Sequence, residues 1–81
     1  MRLLVVDDSK IMRKLVMRAL KETRLAHFTF VEAEDGEDAL AKFDPETIQI
    51  CLVDWNMPKM NGGDFIRAMR AISEDTPVVM V

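Results

Sequence analysis

The chain has 81 residues, 49% of them hydrophobic and 31% charged, with a formal net charge of −3. That size holds one small soluble domain of marginal stability, and the absence of a Lys/Arg run gives a nucleic-acid-binding role no support. A single cysteine excludes an internal disulfide, and its place in an apolar run predicts a reduced, buried thiol in a cytosolic protein.

Leu3 to Val6 is the first apolar stretch, too short for a signal peptide or a membrane span. It is a continuous β-prone run, the mark of a strand covered on both faces, and it ends at Asp7-Asp8. Ser9 is the expected cap of a helix of about four turns. In it Ile11, Met12, Leu15, Val16, Ala19 and Leu20 form the apolar stripe, with Arg13, Lys14, Met17, Arg18 and Lys21 on the other side.

Phe28 to Ala33 alternates and carries aromatic and β-branched residues, which predicts a second strand. Asp35 reads as the cap of a short helix with acids in its first turn. Ala39, Leu40 and Phe43 form that helix's buried face, and Asp44-Pro45 ends it. Ile48 to Val53 is the third strand, followed by Asp54. The segment Trp55 to Gly63 reads as a loop because Pro58, Asn61, Gly62 and Gly63 are turn formers. Phe65, Ile66, Met69 and Ile72 line one face of a third helix. Thr76-Pro77 breaks it, and Val78 to Val81 begins a fourth strand. The alternation predicts an α/β domain with a doubly wound parallel sheet in the order β-α-β-α-β-α-β. The sequence stops within an apolar strand, so the expectation is that a C-terminal part is absent or that a partner chain covers the open edge.

Asp7 and Asp8 follow the first strand and Asp54 follows the third. In an open parallel sheet, ligands bind beyond the carboxyl ends of the strands, where the winding reverses. If the two strands are neighbours, three carboxylates meet there and repel one another unless a cation lies between them or their pKa values rise. Hard oxygen donors without His or Cys select Mg2+, Mn2+ or Ca2+, and few carboxylates in an open crevice suit Mg2+. The plainer alternative is that each aspartate is a turn former or a cap.

The run Leu4 to Ser9, the run Leu52 to Pro58 and the triplet Met60-Asn61-Gly62 together resemble the signature of response-regulator receiver domains. The resemblance covers the whole chain in register and implies a flavodoxin-like (CheY-like) sheet, here incomplete, with residues 1–81 as about the first two-thirds of a receiver. It implies Asp54 as a carboxylate nucleophile that takes a phosphoryl group from a histidine kinase or phosphotransfer protein. It implies Asp8 as a direct Mg2+ ligand, Asp7 as an acid acting through water, and the carbonyl of Asn56 as a third protein ligand beside Asp54. The Asn56 side chain lies where family members tune the lifetime of the acyl phosphate. Met57-Pro58 and Asn61-Gly62 shape the loop, with Gly62 expected to adopt a backbone angle that other residues resist. The chain is then an acceptor rather than an enzyme, with at most self-catalysed transfer. The family's Ser or Thr after the fourth strand and Lys after the fifth fall beyond Val81, so phosphoryl transfer is expected to be slow or absent.

The remaining candidates carry less. Trp55 is either an idle aromatic or a reporter beside the acceptor. His27 reads as a solvated loop residue, Lys59 as an exposed charge, and the seven methionines as packing. The basic face of the first helix reads as solvated, although in receivers that helix helps to dock the phosphodonor. A phosphatase of the haloacid dehalogenase type needs Asp-x-Asp, whereas these acids are adjacent. Neither a phosphate-binding Gly-x-x-x-x-Gly-Lys-(Ser/Thr) loop nor a Gly-x-Gly-x-x-Gly turn occurs. The alternative is a self-associating assembly module. An uncovered Val78 to Val81 and first-helix stripe predict a homodimer through the open edge of the fourth strand.

Overall fold

The computed structural model describes all 81 residues. Four strands alternate with three helices: β1 (Arg2–Val6), α1 (Lys10–Thr23), β2 (Thr29–Ala33), α2 (Gly36–Lys42), β3 (Ile50–Val53), α3 (Gly62–Arg70) and β4 (Val78–Met80). The strands form one parallel sheet in the order β2-β1-β3-β4. This is the expected flavodoxin-like arrangement, with the reversal of winding between β1 and β3. No helix is long and apolar enough to cross a membrane.

The caps are those the side chains predict. The Ser9 hydroxyl accepts the Met12 N–H, and the Asp35 carboxylate accepts the Asp38 N–H. Asn61 caps α3 by accepting the Asp64 N–H. The loop expected to run to Gly63 therefore ends earlier, because both glycines lie in the first turn of α3.

The register puts Leu4, Val6, Val31, Ala33, Cys51, Val53, Val78 and Met80 on one face of the sheet. There Leu4, Val6, Cys51 and Val53 pack with Ala39, Phe43, Phe65 and Met69 from the α2 and α3 side, forming a dry core. Phe43 and Phe65 meet edge to face, with ring centroids 6.5 Å apart. Burial pushes the Cys51 thiol up to about 11, so it stays protonated.

The opposite face is covered only in part, by α1. Here the helix sits differently from its sequence pattern. Met17 is buried, and Arg13, Val16 and Leu20 are partly covered, while Ile11 is 74% and Leu15 54% exposed. The expected apolar stripe is thus split, with its outer half facing solvent; Val79 and Val81 are also exposed. Arg13 faces inward because Glu32 on β2, in register with Val5 of β1, offers it an ion-pair partner on that face. At the far end, Ile72 lies past the end of α3 and is exposed.

Two glycines are required by close approach rather than by backbone angle, since no glycine has positive φ. This corrects the expectation for Gly62: a Cβ there would lie 2.5 Å from the Asp54 carbonyl oxygen. A Cβ on Gly36 would lie 2.3 Å from the Met60 carbonyl oxygen, which accepts the Gly36 N–H. Gly36→Ala therefore forces the start of α2 away from the loop. The expected cost is about 1–3 kcal/mol, and for a domain of this size each kcal/mol is about 4–8 °C in Tm. Differential scanning calorimetry checks it; an unchanged Tm would show that the contact yields without cost.

Candidate functional site

Paired strands create the site. Val6 of β1 lies opposite Val53 of β3, so the next residues, Asp7 and Asp54, emerge side by side. The ladders run one step further: the Asp54 N–H donates to the Val6 carbonyl at 2.9 Å, and the Asp7 N–H donates to the Ala33 carbonyl at 3.1 Å. One carboxylate oxygen from each of Asp7, Asp8 and Asp54 lies within 4.8 Å of the others. Asp8 is exposed, and Asp7 and Asp54 are partly buried. None of the three pairs with a Lys or Arg side chain.

The electrostatic consequence falls on Asp7. Desolvation pushes its carboxyl above its ordinary value, against the Ser9 N–H, which bonds Oδ1 at 2.9 Å and favours the charged form. The charge of Asp54 and the contact with Asp8 add to the rise. Arg13 is close but spends its Nη1 on the main-chain carbonyl of Asp7, at 2.6 Å, and its Nε on Glu32.

The loop beyond Asp54 is tied to the start of α2. Gly36 bonds the Met60 carbonyl, the Gly62 N–H bonds the Trp55 carbonyl, and Met57 and Met60 pack against the core. Lys59 takes a positive φ of 61° and sets its ammonium 3.8 Å from Asp35. Within that loop the Asn56 N–H faces Asp54 Oδ1 at 3.4 Å.

Comparison with known proteins places this arrangement. The family model described as the response regulator receiver domain matches residues 3–81. The chain belongs to the response-regulator receiver family. This receiver is 43% identical over 84 residues to a CheY homolog of Campylobacter jejuni, all of the chain covering 63% of that protein. It is 39% identical to CheY1 of Helicobacter pylori, covering 66% of it. It therefore spans somewhat under two-thirds of the length of such relatives. Its structure resembles CheY4 of Vibrio cholerae, with a TM-score of 0.84 and 34% identity over 98% of this chain and 65% of that one. It also resembles the CheX–CheY–BeF3–Mg2+ complex from Borrelia burgdorferi, with a TM-score of 0.87 and 28% identity over 98% of this chain and 59% of that one.

Within the receiver, Asp7, Asp8 and Asp54 are gathered at one point, with Asn56 on the loop immediately beyond. Trp55 is half exposed and lies against Gly63, where a Cβ would come within 2.9 Å of its ring. His27 is exposed and distant in the chain from the cluster, and its carbonyl accepts the N-terminal ammonium. Two roles escaped the sequence reading: the loop contact that Asp35 makes beyond its expected cap, and the covered position of Arg13. Asp35 is 4% exposed and anchors the loop as well as capping α2. Arg13, assigned to the solvated face, has a side chain only 12% exposed. Its spacing with Val16, Met17 and Leu20 is the signal that marks it, an i, i+3, i+4, i+7 set across the buried side.

The cluster fits a small divalent cation. All three side-chain donors are hard oxygens, the protein supplies them no cationic side chain, and the Asp7 carboxyl is already strained toward its neutral form. Because its folded pKa is raised, the native state holds the Asp7 proton more tightly than the unfolded chain does. Ionising Asp7 thus lowers stability; the loss is absent below its ordinary pKa and complete above the raised one. Two outcomes are expected at pH 7. MgCl2 raises Tm, by about 1.4 kcal/mol of stabilisation at ten times its Kd. Asp7→Asn raises the Tm measured in EDTA and shrinks the response to MgCl2. A Tm indifferent to MgCl2, or an Asp7→Asn protein less stable than its parent in EDTA, contradicts this account of the cluster.

Proposed function

We propose that this receiver acts in two-component signalling by accepting a phosphoryl group on Asp54 from a phosphohistidine of a histidine kinase or phosphotransfer protein. The observation that carries the reading is the meeting of Asp7, Asp8 and Asp54, within 4.8 Å, at the ends of two paired strands. Asp7, Asp8, Asp54 and the main-chain carbonyl of Asn56 are the proposed ligands of Mg2+. The Borrelia burgdorferi neighbour, described as a complex with BeF3, Mg2+ and a second protein, supports both the cofactor class and a protein partner. When bound, Mg2+ supplies neutralising charge to the phosphoryl oxygens.

The chain's own part is a placed nucleophile. Asp54 Oδ1 faces the Asn56 N–H, while Oδ2 takes no hydrogen bond from the protein. A carboxylate oxygen attacks phosphorus in line, the new P–O bond forms as the P–N bond of the donor breaks, and the electron pair returns to the imidazole. The product is an acyl phosphate on Asp54. The receiver is thus an acceptor rather than an enzyme, and its proposed place is the cytoplasm. Native mass spectra recorded during prolonged incubation with MgCl2 and excess acetyl phosphate, to accommodate slow transfer, test the reading: one phosphoryl adduct is expected to accumulate, absent from Asp54→Asn. No adduct in protein that binds Mg2+ overturns Asp54 as nucleophile.

A second reading concerns assembly, and a specific observation favours it. Ile11, Met12 and Leu15 on α1 and Val79 and Val81 at the β4 edge are exposed apolar residues on the same side of the sheet, and β4 is an edge strand. We propose that this region pairs two copies of the chain, through the β4 edge, into a homodimer. Sedimentation velocity is expected to show a concentration-dependent dimer that Val79→Lys weakens; a monomer at every concentration overturns it.

A further inference from the structure

Arg13 is the charged side chain that the phosphoacceptor chemistry leaves without a task, and it is the most deeply covered partner of any ion pair apart from Asp35. It stands one turn into α1 and reaches back to the end of β1, where Nη1 donates to the Asp7 carbonyl at 2.6 Å. Its Nε donates to Glu32 Oε1 at 3.0 Å, and Lys14 holds the other Glu32 oxygen at 3.0 Å. Glu32 lies on β2 opposite Val5, two residues before Asp7. The Arg13 hydrogen bond, followed by that of Lys14, lowers the Glu32 carboxyl, so the clamp is ionised.

The carbonyl that Arg13 grips belongs to the peptide group joining Asp7 to Asp8. It also lies just past the last paired residues of β1 and β3, Val6 and Val53. The Asp7 N–H, in the preceding peptide group, is fixed to β2, and the Asp7 carbonyl is fixed to α1, so the backbone is held on both sides of the Asp7 Cα. A planar guanidinium with donors in a fixed fork suits that bridge, whereas an ammonium reaches one partner at a time.

We infer that Arg13 is a positioning residue for the cation site, orienting Asp7 and Asp8 through their shared peptide while Glu32 holds the guanidinium in place. This rests on reading Asp7, Asp8 and Asp54 as a Mg2+ site. The sign of its effect sets it apart from plain electrostatics. Arg13 is a positive charge beside a cation site, so charge alone makes its removal tighten Mg2+ binding. Positioning makes its removal weaken binding, by roughly tenfold or more as for other supports of metal ligands.

The test is calorimetric titration of the full chain with MgCl2, with apo Tm and far-UV circular dichroism recorded for each variant. Arg13→Met keeps the aliphatic stem and loses both hydrogen bonds, and it is expected to bind Mg2+ roughly tenfold more weakly. Arg13→Lys is expected to fall between it and the parent. Arg18→Met, which removes an exposed pair with Glu22, is expected to leave Mg2+ affinity unchanged. Mg2+ binding by Arg13→Met as tight as in the parent, or tighter, overturns the positioning role alone. No Mg2+ binding by the parent chain overturns the cation site and this inference with it. If Arg13→Met does not fold, Arg13→Lys decides, with weakened affinity supporting the inference and unchanged affinity overturning it.

Discussion

The parallel ladder between β1 and β3 is the constraint on which the site depends. It sets Val6 against Val53, and the chain leaves both strands at the next residue, so Asp7 and Asp54 are delivered to one point. The arrangement is unfavourable in itself, because it gathers carboxylates with no basic side chain between them and partly desolvates one. It persists because the strands beneath are almost fully buried, Leu4, Val6, Cys51 and Val53 being at most 1% exposed. Hydrophobic burial of that kind outweighs a modest electrostatic penalty at the rim. The same geometry that costs stability leaves a cluster of oxygens ready for a cation.

Two clamps then convert a strand end into a defined site. On one side, α2 holds the loop after Asp54 through main-chain contact at Gly36 and the pairing of Asp35 with Lys59. Asp35 serves both roles at once: Oδ1 caps the helix, and Oδ2 faces the lysine. On the other side, α1 holds the peptide after Asp7 through Arg13 and Glu32. The first clamp joins segments far apart in the chain, and the second joins α1 to the end of the strand just before it, with Glu32 of β2 as its anchor, so the acidic cluster depends on the packing of both helices.

The two faces of the sheet are unequal. One is sealed by α2 and α3 around Phe43, Phe65 and Met69, and it accounts for the dry core. The other has one helix across it, turned so that Met17 rather than Ile11 or Leu15 is buried. The polar bridge to Glu32 dictates this orientation, since a burying rotation toward Leu15 would draw Arg13 away from its two partners. An exposed apolar stripe on α1, Ile11 with Leu15, follows directly.

The sequence by itself determined the order and type of every element, the caps Ser9 and Asp35, and which carboxylates follow buried strands. Those features are local: a cap needs only its own turn, and a strand covered on both faces announces itself by a continuous apolar run. It also marked Asp7, Asp8 and Asp54 as one group, because each follows a buried strand, while Asn56 joined them only through the resemblance to receiver domains. Only the tertiary structure decided which face of α1 turns inward. Helical periodicity places Ile11 and Arg13 on different sides, but the choice depends on Glu32 on a strand that the sequence does not position in space. The tertiary structure likewise decided why Gly36 and Gly62 are glycines. Their constraint is a carbonyl oxygen approaching from another part of the chain, and no property of the glycine's own neighbours in sequence encodes that approach.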